Sequence, residues 1–149
     1  MALPAYSILV PNHNYAAYIQ ETIHSALSQD VSDLEIVVCD NASTDDSVAK
    51  VREFTDPRVR LYVNMCNVGF AANLERVAGY AKGRRMILLS SDDRMRPAAL
   101  NTYAALEHAL GEAAERAVWG SVTTIVDKSG RATGLIEADE KLWYEAVVD

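Results

Sequence analysis

Met86-Ile87-Leu88-Leu89-Ser90-Ser91-Asp92-Asp93-Arg94-Met95-Arg96-Pro97 is the stretch on which the reading of the chain turns. An apolar run ends abruptly in two serines and two adjacent carboxylates, and a proline closes the turn. The run is too short for a helix of its own and predicts a buried strand. Its carboxylates then stand where the strand leaves the sheet, the place where open α/β sheets bind ligands. Paired aspartates there are hard oxygen ligands, suited to a divalent cation that itself holds a phosphate. A second reading is equally open on this stretch alone: Asp92 or Asp93 caps a following helix, with Pro97 in its first turn.

The flanking sequence supplies the rest of an alternating pattern. Residues 6–10 predict a first buried strand, ended by Pro11, which cannot donate to a central ladder. Apolar residues Ile19, Ile23, Ala26 and Leu27 recur at helical spacing over residues 18–28. Residues 34–39 are nearly all apolar and predict a second strand buried on both faces. A helix over residues 47–54, a strand over 59–63 and a helix over 70–81 follow, with Gly83 as its stop signal. After the fourth strand come a helix over 97–110, a strand over 118–126, a turn at Ser129-Gly130 and a poorly patterned end from Gly134. Alternating strands and helices predict a mostly parallel sheet with helices on both faces. Polar clusters follow the first, second and fourth strands, at residues 12–14, 40–47 and 91–93. A parallel sheet brings all three to one rim, which is the argument from residues alone for a ligand site there.

Composition bounds the partners. The 149 residues suffice for one domain with a substantial core. Half are hydrophobic and 23% charged, as in an ordinary globular protein. A net charge of −7 argues against nucleic acid or an anionic membrane as the main partner. Cys39 and Cys66 make neither a disulfide framework nor a metal cluster. Cys39 closes the run Ile36-Val37-Val38 and is expected as a buried free thiol, which fits a cytoplasmic setting. There is no secretory-signal pattern and no apolar run near the about 20 residues that span a bilayer. Neither a Gly-x-Gly-x-x-Gly nor a Gly-x-x-x-x-Gly-Lys-Ser/Thr stretch follows any strand, which counts against dinucleotide and P-loop binding.

Four motifs in order carry a family resemblance: residues 7–14 (Ser-Ile-Leu-Val-Pro-Asn-His-Asn), 40–45 (Asp-Asn-Ala-Ser-Thr-Asp), 67–73 (Asn-Val-Gly-Phe-Ala-Ala-Asn) and 91–97 (Ser-Asp-Asp-Arg-Met-Arg-Pro). Together they resemble family-2 inverting glycosyltransferases of the GT-A fold, over about residues 5 to 126. The resemblance implies a Rossmann-like nucleotide-diphospho-sugar transferase sheet, with residues 1–149 a single nucleotide-sugar-binding domain truncated at its C-terminus. It implies a nucleotide-sugar donor, a UDP-sugar being favoured, and a divalent cation, Mn2+ or Mg2+.

Residue by residue, Pro11 and His13 match positions that line the base, His13 standing where the family commonly has an aromatic. Its imidazole either stacks on a uracil face or is a solvent-facing turn residue. Asn14 matches an asparagine that holds the turn. Asp40 and Asn41 match a pair of which one reads the base edge, with Asn41 in place of a common aspartate. Ser43, Thr44 and Asp45 are expected to cap the next helix. Asn73 matches a nucleotide or sugar contact or a structural residue. Asp92 and Asp93 match the end of a DxD-type motif, with Ser90 at its first position, Asp93 on the metal and Asp92 on the ribose or sugar side. Arg94 and Arg96 reach a phosphate or are solvated.

Inversion also needs a general base, which the family draws from beyond the metal motif. Glu137, Asp139, Glu140, Glu145 and Asp149 are the available acids, none in a matching motif, so the base is unassigned. The acceptor, whether glycan, lipid or protein, is unspecified. Apolar residues Leu142, Trp143, Tyr144, Val147 and Val148 suit burial against a following domain or a second copy. The expectation is a cytoplasmic transferase, free or peripheral to the inner membrane face; the competing one is a nucleotide-sugar-binding module that lacks activity.

Overall fold

The computed structural model describes residues 3–116, 123–126 and 131–136. The chain forms two compact units, Met1–Ala105 and Leu106–Asp149. The first contains β1 (Tyr6–Asn12), α1 (Ile19–Leu27), β2 (Leu34–Asp40), α2 (Ser47–Arg52), β3 (Val59–Val63), α3 (Phe70–Tyr80), β4 (Arg85–Leu88) and the start of α4 (Ala99–Leu110). In the second, a 3-10 turn (Gly111–Arg116) precedes an antiparallel pair, β5 (Thr123–Val126) and β6 (Ala132–Ile136), with an irregularity between Ile125 and Val126. The turn expected at Ser129-Gly130 and the acids from Glu137 onward lie outside the described residues.

The four strands of the first unit are parallel, in the order β3-β2-β1-β4. β1 and β2 are buried along their whole length, as their apolar composition requires. Alternation sends their side chains to two faces. Ile8, Val10, Ile36 and Val38 pack on one face with Ile19 and Ile23 of α1, Val51 of α2 and Leu100 of α4. Leu9, Val37 and Cys39 pack on the other with Val77 and Leu74 of α3. Cys39 is the buried free thiol expected; Cys66 is exposed.

Three local expectations are corrected. Pro11 does not end β1, which continues to Asn12 with Pro11 opposite Cys39. Asn12 faces β2, its carbonyl accepting the Asn41 N–H, so Pro11 faces β4. β4 has ended by Leu88, so the donor that proline lacks is not needed there. β4, expected to be buried, is the last strand of the sheet among the described residues. Ile87 joins the core, while Met86 and Leu88 are about half exposed because α3 covers β1 and β2 instead. Gly83 is not the helix stop. α3 ends at Tyr80 with Ala81 extended, and Gly83 lies so close to β1 that a Cβ would fall 2.5 Å from the Ser7 nitrogen.

Candidate functional site

The chain runs outward from β1 to β2 to β3, then returns to place β4 on the other side of β1. This reversal leaves a crevice at the carboxyl ends of β1 and β4, the topological switch point where such sheets bind ligands. A pocket of about 320 Å³ lies there. Pro11 and Asn12 line it at the end of β1, His13 and Tyr15 just after that strand, Asn41 after β2, and Ser90, Ser91 and Asp92 after β4. Asn67, Gly69, Phe70 and Asn73 close it from the loop before α3 and from the first turns of that helix. Its size falls in the range of small-molecule sites, roughly 300–1,000 Å³.

Amides build the wall. Asn41 Oδ1 accepts from Asn64 Nδ2 at 3.0 Å and from the Val68 N–H at 2.9 Å. Asn41 Nδ2 donates to Asn67 Oδ1 at 2.8 Å and to the Gly69 carbonyl at 3.3 Å. The hydrogen-bonding capacity of its side chain is spent on the 64–69 loop, so the Asn41 amide shapes the pocket and is not left over to read a base. Asn73 is buried and bonded at both ends of its amide: Nδ2 donates to the Cys39 carbonyl at 3.0 Å and Oδ1 accepts from Asn64 Nδ2 at 2.8 Å. Asn67 Oδ1 also takes the Gly69 N–H, a side-chain turn that sets up the positive φ of +84° at Gly69.

Asp40 stands behind the lining, 1% exposed. Its Oδ2 accepts from Asn12 Nδ2 at 2.7 Å and Ser43 Oγ at 2.6 Å, and its Oδ1 accepts the Ser43 N–H at 2.8 Å. Asn14, at φ +60°, turns its Oδ1 to the Thr44 N–H and ties the first loop to the second. Ser43 and Thr44 are thus consumed between loops and do not cap α2; Asp45 alone reaches its first amide, accepting the Ser47 N–H at 3.0 Å.

The helix-cap reading of Asp92 and Asp93 is excluded, because α4 begins only at Ala99, beyond Pro97 and Ala98. Instead the turn after β4 is held by Ser91, whose buried Oγ donates to the Pro11 carbonyl and whose carbonyl accepts from Thr22 Oγ1. Both aspartates are left exposed at the rim, Asp92 in the lining and Asp93 beside it. Partial desolvation and the adjacent Asp92 charge push the Asp93 carboxyl above its ordinary value, against a hydrogen bond from Ser90. A pair in mutual repulsion favours a cation. Among the described residues no third acid, cysteine or histidine joins them, so phosphate oxygens and water would complete the shell, as suits Mg2+ or Mn2+. Arg94 is paired with Glu21 of α1 and does not turn to the pocket.

Of the expected site residues, Pro11, His13, Asn41, Asn73 and Asp92 therefore meet in one lining, and Asn14, Asp40 and Asp93 support or flank it. Asn12, Tyr15, Asn67 and Phe70 join the lining without a motif role that marks them in the sequence. Phe70, 68% exposed, carries the clearest signal: an aromatic opening a helix at a Gly turn with no core to enter.

A family model described as Glycosyl transferase family 2 matches residues 7–143. Chondroitin synthase of Pasteurella multocida is 37% identical over 100 residues, 66% of this chain and 10% of that one. The UDP-Glc:alpha-D-GlcNAc-diphosphoundecaprenol beta-1,3-glucosyltransferase WfgD of Escherichia coli is 38% identical over 87 residues, 58% of this chain and 34% of that one. The chain thus spans a tenth to a third of the length of these relatives. Among solved structures, S. aureus TarS in complex with UDP-GlcNAc matches with TM-score 0.66 and 26% identity, over 70% of this chain and 31% of that one. The mannosyltransferase PcManGT of Pyrobaculum calidifontis, in complex with GDP-Man and Mn2+, matches with TM-score 0.63 and 28% identity, over 75% of this chain and 34% of that one.

Proposed function

The chain belongs to glycosyl transferase family 2, and from that premise we propose that its first unit binds the nucleotide-sugar donor of an inverting, metal-dependent sugar transfer. One observation carries this reading: the exposed Asp92-Asp93 pair stands at the mouth of a pocket built at the switch point of the sheet. The pocket takes the nucleoside, and the diphosphate extends to the rim. Asp93, with Asp92, would hold a divalent cation that, when bound, offsets negative charge on the leaving diphosphate. The neighbours crystallised with UDP-GlcNAc and with GDP-Man and Mn2+ support a nucleotide-sugar donor and a cation. The relatives are named synthases and transferases, which supports transfer over a binding-only module. In transfer, an acceptor hydroxyl attacks the anomeric carbon from the face opposite the diphosphate and loses its proton to a carboxylate base.

No helix among the described residues is long and apolar enough to cross a membrane. We place the protein in the cytoplasm, where the free thiols of Cys39 and Cys66 stay reduced.

Calorimetric titration with UDP in the presence and absence of Mn2+ tests the reading. Mn2+ should tighten UDP binding at least about tenfold, and Asp93→Ala should abolish that gain while leaving the melting temperature unchanged or slightly raised. Equal affinity with and without metal would remove the cation from the site.

A further inference from the structure

Between Leu88 and Ala99 neither strand nor helix fixes the course of the segment that carries Asp92 and Asp93. Helix α1 supplies what is missing. Thr22 and Ser25, one turn apart on α1, and Gln29, just past its end, turn polar groups to the backbone of this segment. Thr22 Oγ1 donates to the Ser91 carbonyl at 2.9 Å. Ser25 Oγ accepts the Met95 N–H at 3.0 Å and donates its own proton to the Thr22 carbonyl at 2.7 Å. Gln29 Nε2 donates to the Arg96 carbonyl at 3.1 Å, and its Oε1 accepts the Leu100 N–H at 3.2 Å. The partners advance in the same order as the side chains, so helix and segment run alongside each other. Ala98, at φ +59°, lies between the two groups that Gln29 holds. A non-glycine residue in that left-handed region is strained and persists only where its surroundings over-determine it. Gln29 supplies that constraint by gripping the chain on both sides of Ala98.

Thr22 and Gln29 are buried, beside the apolar Ile19, Ile23 and Ala26 of the same helix. Apolar side chains at these positions would also cover the segment, but burial of apolar surface has no direction. Hydrogen bonds to particular carbonyls and amides do have one, and they fix the register of the segment against α1. All four bonds to the segment end on its main-chain atoms and none on an aspartate carboxylate, so they set where the carboxylates stand without changing their charge. A small divalent cation demands close to ideal octahedral geometry. With two protein carboxylates to hold it, a loosened turn weakens it directly. We propose that Thr22, Ser25 and Gln29 are positioning residues that hold the Asp92-Asp93 turn in the geometry a divalent cation needs, so that the cation's share of nucleotide binding depends on α1. The inference rests on the metal-dependent reading above and extends it to a helix that contributes nothing to the pocket lining.

The test is calorimetric titration of the 149-residue chain with UDP, with and without Mn2+, read as the ratio of the two affinities. The double variant Thr22→Val, Gln29→Met keeps side-chain bulk and removes three of the four bonds to the segment. Its Mn2+ gain should fall about three- to tenfold, while its affinity for UDP without Mn2+ stays within about twofold of wild type. Thr22→Ser keeps the hydroxyl and should keep the wild-type gain. Val37→Ala loosens the core on the opposite face of the sheet; it should lower the melting temperature and keep the gain as well. A folded double variant with the wild-type gain overturns the inference and leaves the metal-dependent reading standing. An equal loss of gain in Val37→Ala also overturns it, by tracing the effect to stability alone. No Mn2+ gain in the wild-type chain overturns both. If the double variant does not fold, hydrogen exchange of the wild-type chain, read by mass spectrometry over residues 94–100, decides. Mn2+ with UDP should slow exchange there severalfold beyond UDP alone, and equal exchange overturns the inference.

Discussion

Strand β2 carries a buried acid at each end, and the protein solvates the two in opposite styles. Glu35, at the start, accepts from Ser7 Oγ and the Lys82 N–H, both at 2.6 Å, and pairs with Arg60. Arg60 in turn donates to the Tyr80 carbonyl and the Tyr62 hydroxyl, and those two tyrosines stack at 3.7 Å. Burial pushes the Glu35 carboxyl up, but its hydrogen bonds and the Arg60 charge outweigh this and hold it below the ordinary range. Asp40, at the far end, is also filled, yet the network around it ends in two open valences, Asn12 Oδ1 and His13 Nδ1. A polar cluster that closes on itself contributes stability. One that stays open at the switch point of a sheet is prepared for something that arrives later.

Glu35→Ala should have the largest effect on stability, about 2–3 kcal/mol in urea unfolding, because it strands the part-buried Arg60. Nucleotide affinity of the folded variant should be unchanged; a large loss would mean that the two ends of β2 are not independent. Since Glu35 titrates below 4.5, its contribution is complete above that pH and is lost as pH falls below it. Glu35→Gln should therefore flatten the acid limb of the stability curve. Asn41→Asp comes next. It removes the donors to Asn67 and Gly69 and should cost about 1–3 kcal/mol, with weaker UDP binding as the loop that faces His13 loosens. Wild-type stability and affinity in that variant would show that the amide wall does not hold the pocket. The smallest change is Ala42→Gly. Ala42 sits at φ +58° in the loop after β2, and glycine there should add about 0.5–1 kcal/mol in thermal unfolding without altering binding.

The elements of the first unit were legible because burial wrote them plainly. The continuous apolar runs of β1 and β2 and the helical spacing of Ile19 and Ile23 admit few other readings. The half-exposed face of β4 is not legible in its sequence, because apolar composition does not reveal whether a neighbouring strand lies beyond it. Nor is the tolerance of β1 for Pro11, because its cost depends on where the adjacent strand stops, which is a matter of register. At the site, the rim positions of Asp92 and Asn41 followed from topology, but their division of labour did not. Which amide is spent and which is open depends on contacts across about 25 to 30 residues, such as Asn41 with Asn67 and Asn14 with Thr44. No local pattern encodes that accounting.

The pairing of β1 with β2 aligns Ser7 with Glu35 and Asn12 with Asp40, and both pairs are bridged by side-chain hydrogen bonds. The two pairs stand five positions apart along each strand, an odd number, so they lie on opposite faces of the sheet. A one-residue slip during folding would break both at once and leave two buried carboxylates without those partners. The two bridges thus act as a proofreading lock on strand alignment, with the rejection of misaligned chains built into the same strands that carry the ligand pocket.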